Sequence, residues 1–111
     1  MSDLYTEMQL NINMLDKAIS ESKARGSNSA LCENRDRIAL AKYMTERRAE
    51  GVPVTILSDI SRGDPEIARL RMEKDIALSL YESSKEAINA YKLKIRVLND
   101  QIAREWSKTE N

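Results

Sequence analysis

The sequence predicts an all-α protein: a long antiparallel helical hairpin with coiled-coil-like pairing and a short helical connector, dimerising into a four-helix bundle. Three observations predict it. Leu, Ile, Met and Ala supply most of the 41% hydrophobic content, with no Phe and one Trp, beside 32% charged residues, which is the profile of long helices. Apolar residues recur in steps of three and four throughout the stretch after Pro65. Gly51, Pro53, Gly63 and Pro65 fall together near the middle and divide the chain into two arms. At 111 residues the chain is one domain's worth, with a first arm over 2–50, a connector over 51–63 and a second arm over 64–107.

The first arm has two helical runs, Leu4, Met8, Ile12, Leu15 and Ile19, then Leu31, Ile38, Ala41 and Met44, with Ser2 or Asp3 as its cap. Between them Ser20–Ser29 is polar and contains Gly26, which costs about 1 kcal/mol relative to Ala inside a helix. Either the helix breaks near Gly26 to Ser29, or it continues, kinked, with small residues facing its partner. An intact arm is preferred, because a long second arm needs a long partner. Cys32, close to this stretch, reads as a small apolar filler.

The connector is too apolar at Val54, Ile56, Leu57 and Ile60 for a free linker. A short helix capped by Thr55, running through Ser61 and closed by Gly63, is expected to fold against the ends of both arms. Asp64-Pro65-Glu66 then starts the second arm, with Asp64 as cap, Pro65 at the first helical position and Glu66 complementing the helix dipole. Its inward positions are Ile67, Leu70, Lys74, Ala77, Tyr81, Ser84, Ile88, Tyr91, Ile95, Leu98, Ile102 and Glu105, on one helix of about 40 residues and roughly 60 Å. A second stripe, Ile76, Leu80, Ala87, Ala90 and Val97, widens the apolar face beyond what one partner helix covers. Dimerisation through this stripe is the economical answer. Cover by small residues and a folded-back connector is the alternative.

Much chemistry is excluded. With no His, histidine-based catalytic triads and the commonest metal ligand are missing, and one Cys leaves no zinc set within a chain. No phosphate-binding glycine pattern occurs. Glu46 with Glu50, and Asp59 with Asp64, read as solvated charges rather than catalytic pairs. Neither an enzyme nor a cofactor is expected. Eighteen basic and eighteen acidic residues cancel, which argues against a general binder of nucleic acid or anionic membrane. The first residues, Met1-Ser2-Asp3-Leu4, carry no basic segment and apolar run, so no leader is expected. The single cysteine fits a cytoplasmic setting.

Arg47, Arg48, Arg62, Arg69 and Arg71 gather toward the connector and form a candidate anion or nucleic-acid contact, although Glu46, Glu50, Glu66 and Glu73 are placed to neutralise them. Arg62-Gly63-Asp64 matches an adhesion tripeptide, but helix stop and helix cap account for its residues. Tyr81 and Tyr91 belong to the inter-helix seam, with Tyr43 at the same contact. Trp106 reads as a structural clamp beside Tyr5 or Met8.

Gly51-Val52-Pro53-Val54-Thr55, Gly63-Asp64, Ala87-x-Asn89-x-Tyr91-Lys92-Leu93 and Gln101-Ile102-Ala103-Arg104-Glu105-Trp106 carry a resemblance. Over 51–106 the chain resembles small coiled-coil proteins encoded in phages and prophages of Gram-positive bacteria, a functionally uncharacterised group often placed among replication or recombination genes. The residues and the resemblance together lead to a non-catalytic interaction or scaffold protein, a homodimer with a further protein partner. A nucleic-acid-binding accessory of phage replication or recombination is the alternative.

Overall fold

The computed structural model describes residues Ser2–Glu110, with side chains given for 3–108. Three helices make up the fold: α1 (Ser2–Ala49, 48 residues), α2 (Val54–Gly63, 10 residues) and α3 (Pro65–Glu110, 46 residues). No strand occurs among the described residues. The architecture is the all-α helical hairpin with a short helical connector that the sequence predicts. A cap from Ser2 lies outside the described side chains, while Asp3 is the acid of the first turn.

Gly51 makes the turn out of α1. Its φ of 91° lies in the left-handed region that glycine enters without strain. The Gly51 N–H donates to Arg48 O at 3.0 Å and the Val52 N–H to Arg47 O at 3.1 Å, so the nested pair of bonds satisfies two carbonyls at the helix end. Pro53 follows in extended conformation (φ −61°, ψ 140°) and stands at the N-cap of α2 without a side-chain cap bond. The helix thus begins at Val54, and Thr55 is not its cap. The Pro53 carbonyl already accepts the Ile56 N–H at 3.2 Å, which starts the helix two residues earlier than a threonine cap would. Gly63 is likewise inside α2 without a positive φ; closure falls to Asp64, whose N–H donates to Ser61 O at 3.2 Å. Asp64 also caps α3 as expected, with Oδ2 accepting the Ile67 N–H at 3.1 Å.

Contacts divide the chain into two compact units, Arg25–Tyr81 and Met1–Ala24 with Glu82–Asn111. In Arg25–Tyr81, α2 turns Leu57 and Ser61 inward, and Cys32, Ile67, Leu70 and Ala77 complete the buried set with Asp36. The Ser61 hydroxyl donates to Ser58 O at 2.7 Å, so its burial leaves the donor satisfied. Gly26 sits inside an unbroken α1 because a Cβ there would lie 3.1 Å from Cε1 of Tyr81. A bare backbone lets the tyrosine ring lie against the helix. Asp36 meets Lys74 at 3.4 Å, so position 26 pairs with 81 and 36 with 74, an antiparallel register.

In Met1–Ala24 with Glu82–Asn111, Leu98 and Ser22 are the buried side chains among those described. Leu4, Met8, Asn11, Leu15 and Ala18 of α1, and Ile88, Tyr91, Ile95 and Ile102 of α3, are half-buried.

The inward positions of α3 follow the expected seam from Ile67 to Ile102, every one buried or half-buried, and end before Glu105, which is exposed. The seam of α1 differs from expectation. It runs Leu4, Met8, Asn11, Leu15, Ala18, Ser22, Arg25, Ser29, Cys32, Asp36, Ala39, Tyr43 and Arg47, again in steps of three and four. Ile12, Leu31 and Ile38, assigned inward by their hydrophobicity, are exposed, Ile38 by 61%. Small and polar residues keep one helical phase there, and the large apolar ones fall off it.

Candidate interaction surfaces

Of the predicted oligomer stripe, Ile76 and Leu80 lie in Arg25–Tyr81 and are exposed, with Met72 and Leu78 beside them in sequence. The folded-back connector does not cover them. Ala87, Ala90 and Val97 lie in the other unit; Ala90 and Val97 are exposed and Ala87 is half-buried. Trp106 is 57% exposed and Tyr5 is exposed as well, while Met8 is half-buried, so more than half of the expected clamp residue stands in solvent.

Two grooves lie on the described surface, and of the expected stripe Val97 alone lines either of them. In Met1–Ala24 with Glu82–Asn111, a groove of 500 Å³ runs between α1 and α3, lined by Glu7, Leu10, Asn11, Leu93, Lys94, Val97, Leu98 and Gln101. Leu10 and Leu93 are 59% and 58% exposed on its walls, and Leu98 is the buried floor. Asn11 Nδ2 donates to Glu7 O at 2.8 Å, and the Lys94 ammonium stands 5.2 Å from the Tyr91 ring centre. In Arg25–Tyr81, a groove of 660 Å³ between α1 and α2 is lined by Arg37, Leu40, Ala41, Met44, Thr45, Arg48, Val54, Leu57 and Ser58. Leu10, Leu31, Ile38 and Leu93 were not among the expected interface residues. Continuing the Leu4–Met8–Leu15 phase of α1 through its polar centre is the signal that locates the first three outside the seam.

The arginine cluster is in part neutralised by acids close in sequence. Arg47 Nη1 donates to both oxygens of Glu50, at 2.7 and 2.6 Å, and its guanidinium lies 5.0 Å from the Tyr43 ring centre. The hydrogen bonds to Glu50, then the Tyr43 side chain, hold the Arg47 guanidinium above its ordinary pKa. A raised base stabilises the fold below its unfolded pKa and loses that contribution only as pH climbs through the folded value, so Arg47 adds no pH dependence near neutrality. Arg69 Nη1 donates to Glu73 Oε1 at 2.8 Å. Arg48 and Arg62 are exposed and Arg71 is half-buried. Both helix-surface pairs are those the local acids foreshadow.

The seam carries one electrostatic oddity. Asp36 is buried, its Oδ2 faces Lys74 Nζ at 3.4 Å, and its Oδ1 has no hydrogen-bond partner. A half-satisfied buried carboxylate weakens a seam relative to an apolar residue of similar size. Among the described residues no group of three or more acidic or thiol side chains is placed to hold a metal ion, and no helix is long and apolar enough to cross a membrane. No family model matches the chain, and neither a curated protein nor a solved structure does.

Proposed function

We propose that this protein is a non-catalytic interaction protein, a dimer of helical hairpins that presents surfaces to another protein. One observation carries the reading: the hairpin turns small and polar side chains of α1 inward at Ser22, Ser29, Cys32, Asp36 and Ala39, and leaves Leu10, Leu31, Ile38, Ile76, Leu93 and Val97 in solvent. Apolar side chains that their own fold leaves uncovered mark a surface for association, and Leu10, Leu93 and Val97 also line a groove. The two units each supply part of this exposed set.

The resemblance of 51–106 to phage and prophage proteins supports a role in phage-encoded assemblies. A nucleic-acid role has less behind it, since Arg47 and Arg69 are already bound to Glu50 and Glu73. Sedimentation velocity at micromolar concentration is expected to show a dimer, and a stable monomer would overturn the reading. Affinity purification from the native cell is expected to recover a protein that stays bound after nuclease treatment. Loss of every co-eluting protein on that treatment would favour the nucleic-acid accessory.

A further inference from the structure

The groove between α1 and α2 in Arg25–Tyr81 is made from one face of each helix. Arg37, Leu40, Ala41, Met44 and Arg48 line it from α1 at i, i+3, i+4, i+7 and i+11, and Val54, Leu57 and Ser58 line it from α2 at i, i+3 and i+4. Thr45 completes the lining, its hydroxyl already donating to Ala41 O at 2.9 Å. Five of the nine lining residues are apolar, and three of these, Leu40, Ala41 and Met44, occupy the stretch of α1 between the two arginines. Both charged residues are bases, and no acid lines the groove. The eleven residues from Arg37 to Arg48 make just over three turns, which sets the two positions about 16 Å apart along one face of α1.

Neither guanidinium is firmly committed within the fold. Arg48 is exposed and makes no hydrogen bond or ion pair among the described residues. Arg37 donates through Nη2 to Glu33 Oε1 at 2.8 Å, but the two side chains are 77% and 52% exposed, and an exposed pair contributes at most about 1 kcal/mol. A carboxylate from outside can therefore take Arg37 from Glu33 at little cost. We propose that this groove seats an acidic amphipathic helix of a partner protein, its apolar row laid between α1 and α2 and a carboxylate at each end of that row meeting Arg37 and Arg48. Apolar anchors at helical spacing supply the affinity, and the two terminal charges fix the register. Nucleic acid is the poorer fit. Its affinity grows with the number of phosphates neutralised, and two arginines separated by an apolar wall neutralise few. The inference rests on the reading that this protein presents surfaces to another protein, and adds the seat and the chemistry of what fills it.

The test is fluorescence anisotropy of a labelled synthetic peptide at low salt, titrated with the full chain. The peptide is an amphipathic helix of about 18 residues, with leucines in steps of three and four between two glutamates about three turns apart. Wild type is expected to bind it with a Kd of about 10 µM. Arg37→Glu with Arg48→Glu is expected to weaken binding about tenfold or more, and to bind instead a twin peptide carrying lysines in place of those glutamates. Val54→Ser, which removes an exposed apolar contact, is expected to weaken it about threefold. Circular dichroism of the variants should match wild type, all three positions being exposed. The seat is overturned if wild type binds both peptides equally, if a shuffled acidic peptide without the apolar row binds as well, or if the double variant binds the first peptide unchanged. Absence of binding at about 100 µM overturns it too. A single-stranded oligonucleotide that displaces the peptide from wild type gives the groove to nucleic acid, and loss of a wild-type dimer in the double variant gives it to a second copy. If affinity purification recovers the same bound protein with wild type and the double variant, the seat is wrong while the interaction reading survives. Recovery of none with wild type overturns both.

Discussion

The two units of the hairpin bury their surfaces by different means. In Arg25–Tyr81 a third element is present: α2 brings in Leu57 and Ser61, and five of the six buried apolar side chains, Cys32, Leu57, Ile67, Leu70 and Ala77, lie there. In Met1–Ala24 with Glu82–Asn111 there are two helices and nothing in the place of α2, and Leu98 is the one apolar side chain buried among those described. Two helices in contact leave much of each surface in water, whereas a third body turns a seam into a core. The comparison teaches that a third element, rather than the length of the seam, decides how much apolar surface is buried.

The largest effect should come from cutting into the α2-covered core. Ile67→Ala removes a side chain that is 2% exposed and should cost about 3 kcal/mol in urea unfolding. Leu98→Ala, measured at concentrations that keep the protein monomeric, should cost nearer ~2 kcal/mol because its site is easier to collapse or wet. A larger loss at Leu98 would reverse the ranking of the two units. Amide exchange sharpens the same point: protection around Leu98 should rise with protein concentration, and protection around Ile67 should hardly change.

Next in size is Gly26→Val. A branched side chain, where even a Cβ would lie 3.1 Å from the Tyr81 ring, should cost roughly 1–3 kcal/mol through overpacking. In a Tyr81→Leu background, Gly26→Ala should instead stabilise by about 1 kcal/mol, the helix-propensity gain with the obstruction removed. Thermal melts of both pairs separate packing from propensity.

Smaller still is Asp36→Leu. It removes an orphaned buried oxygen and leaves Lys74, already 31% exposed, able to reach water. Melting temperature should rise, by an amount corresponding to up to ~1 kcal/mol. A fall would show that the pair contributes net stability. The smallest effect belongs to Arg69→Ala, which deletes an exposed pair with Glu73 and should change stability by no more than ~0.5 kcal/mol, a difference that vanishes in high salt.

Much of α3 is legible in the sequence because its phase is written in large residues. Ile67, Leu70, Ile88, Tyr91, Ile95, Leu98 and Ile102 each mark the seam, and Asp64-Pro65 marks where it begins. In α1 the seam is equally regular but written in Ser22, Ser29, Asp36 and Ala39, so hydrophobicity selects Leu31 and Ile38 instead. Gly26 invites a break when read alone, and the ring of Tyr81 across the seam gives a reason for a glycine inside a continuous helix. The exposed stripe of α3 was readable in outline at Ile76, Leu80 and Val97. Its α1 counterpart at Leu10 and its charges at Glu7 and Lys94 were not, because they become neighbours only once two helices are aligned.

The turn at Gly51 has a consequence for molecular identity. Every contact between α1 and α3 would be available equally to arms from different chains if the tip straightened into one continuous rod, giving a domain-swapped pair. A left-handed residue at position 51, followed two residues later by a proline that has no N–H for the preceding carbonyls, opposes that rod. Residues 50–53, between the end of α1 and the start of α2, therefore favour keeping the partnership of the two arms a property of a single molecule.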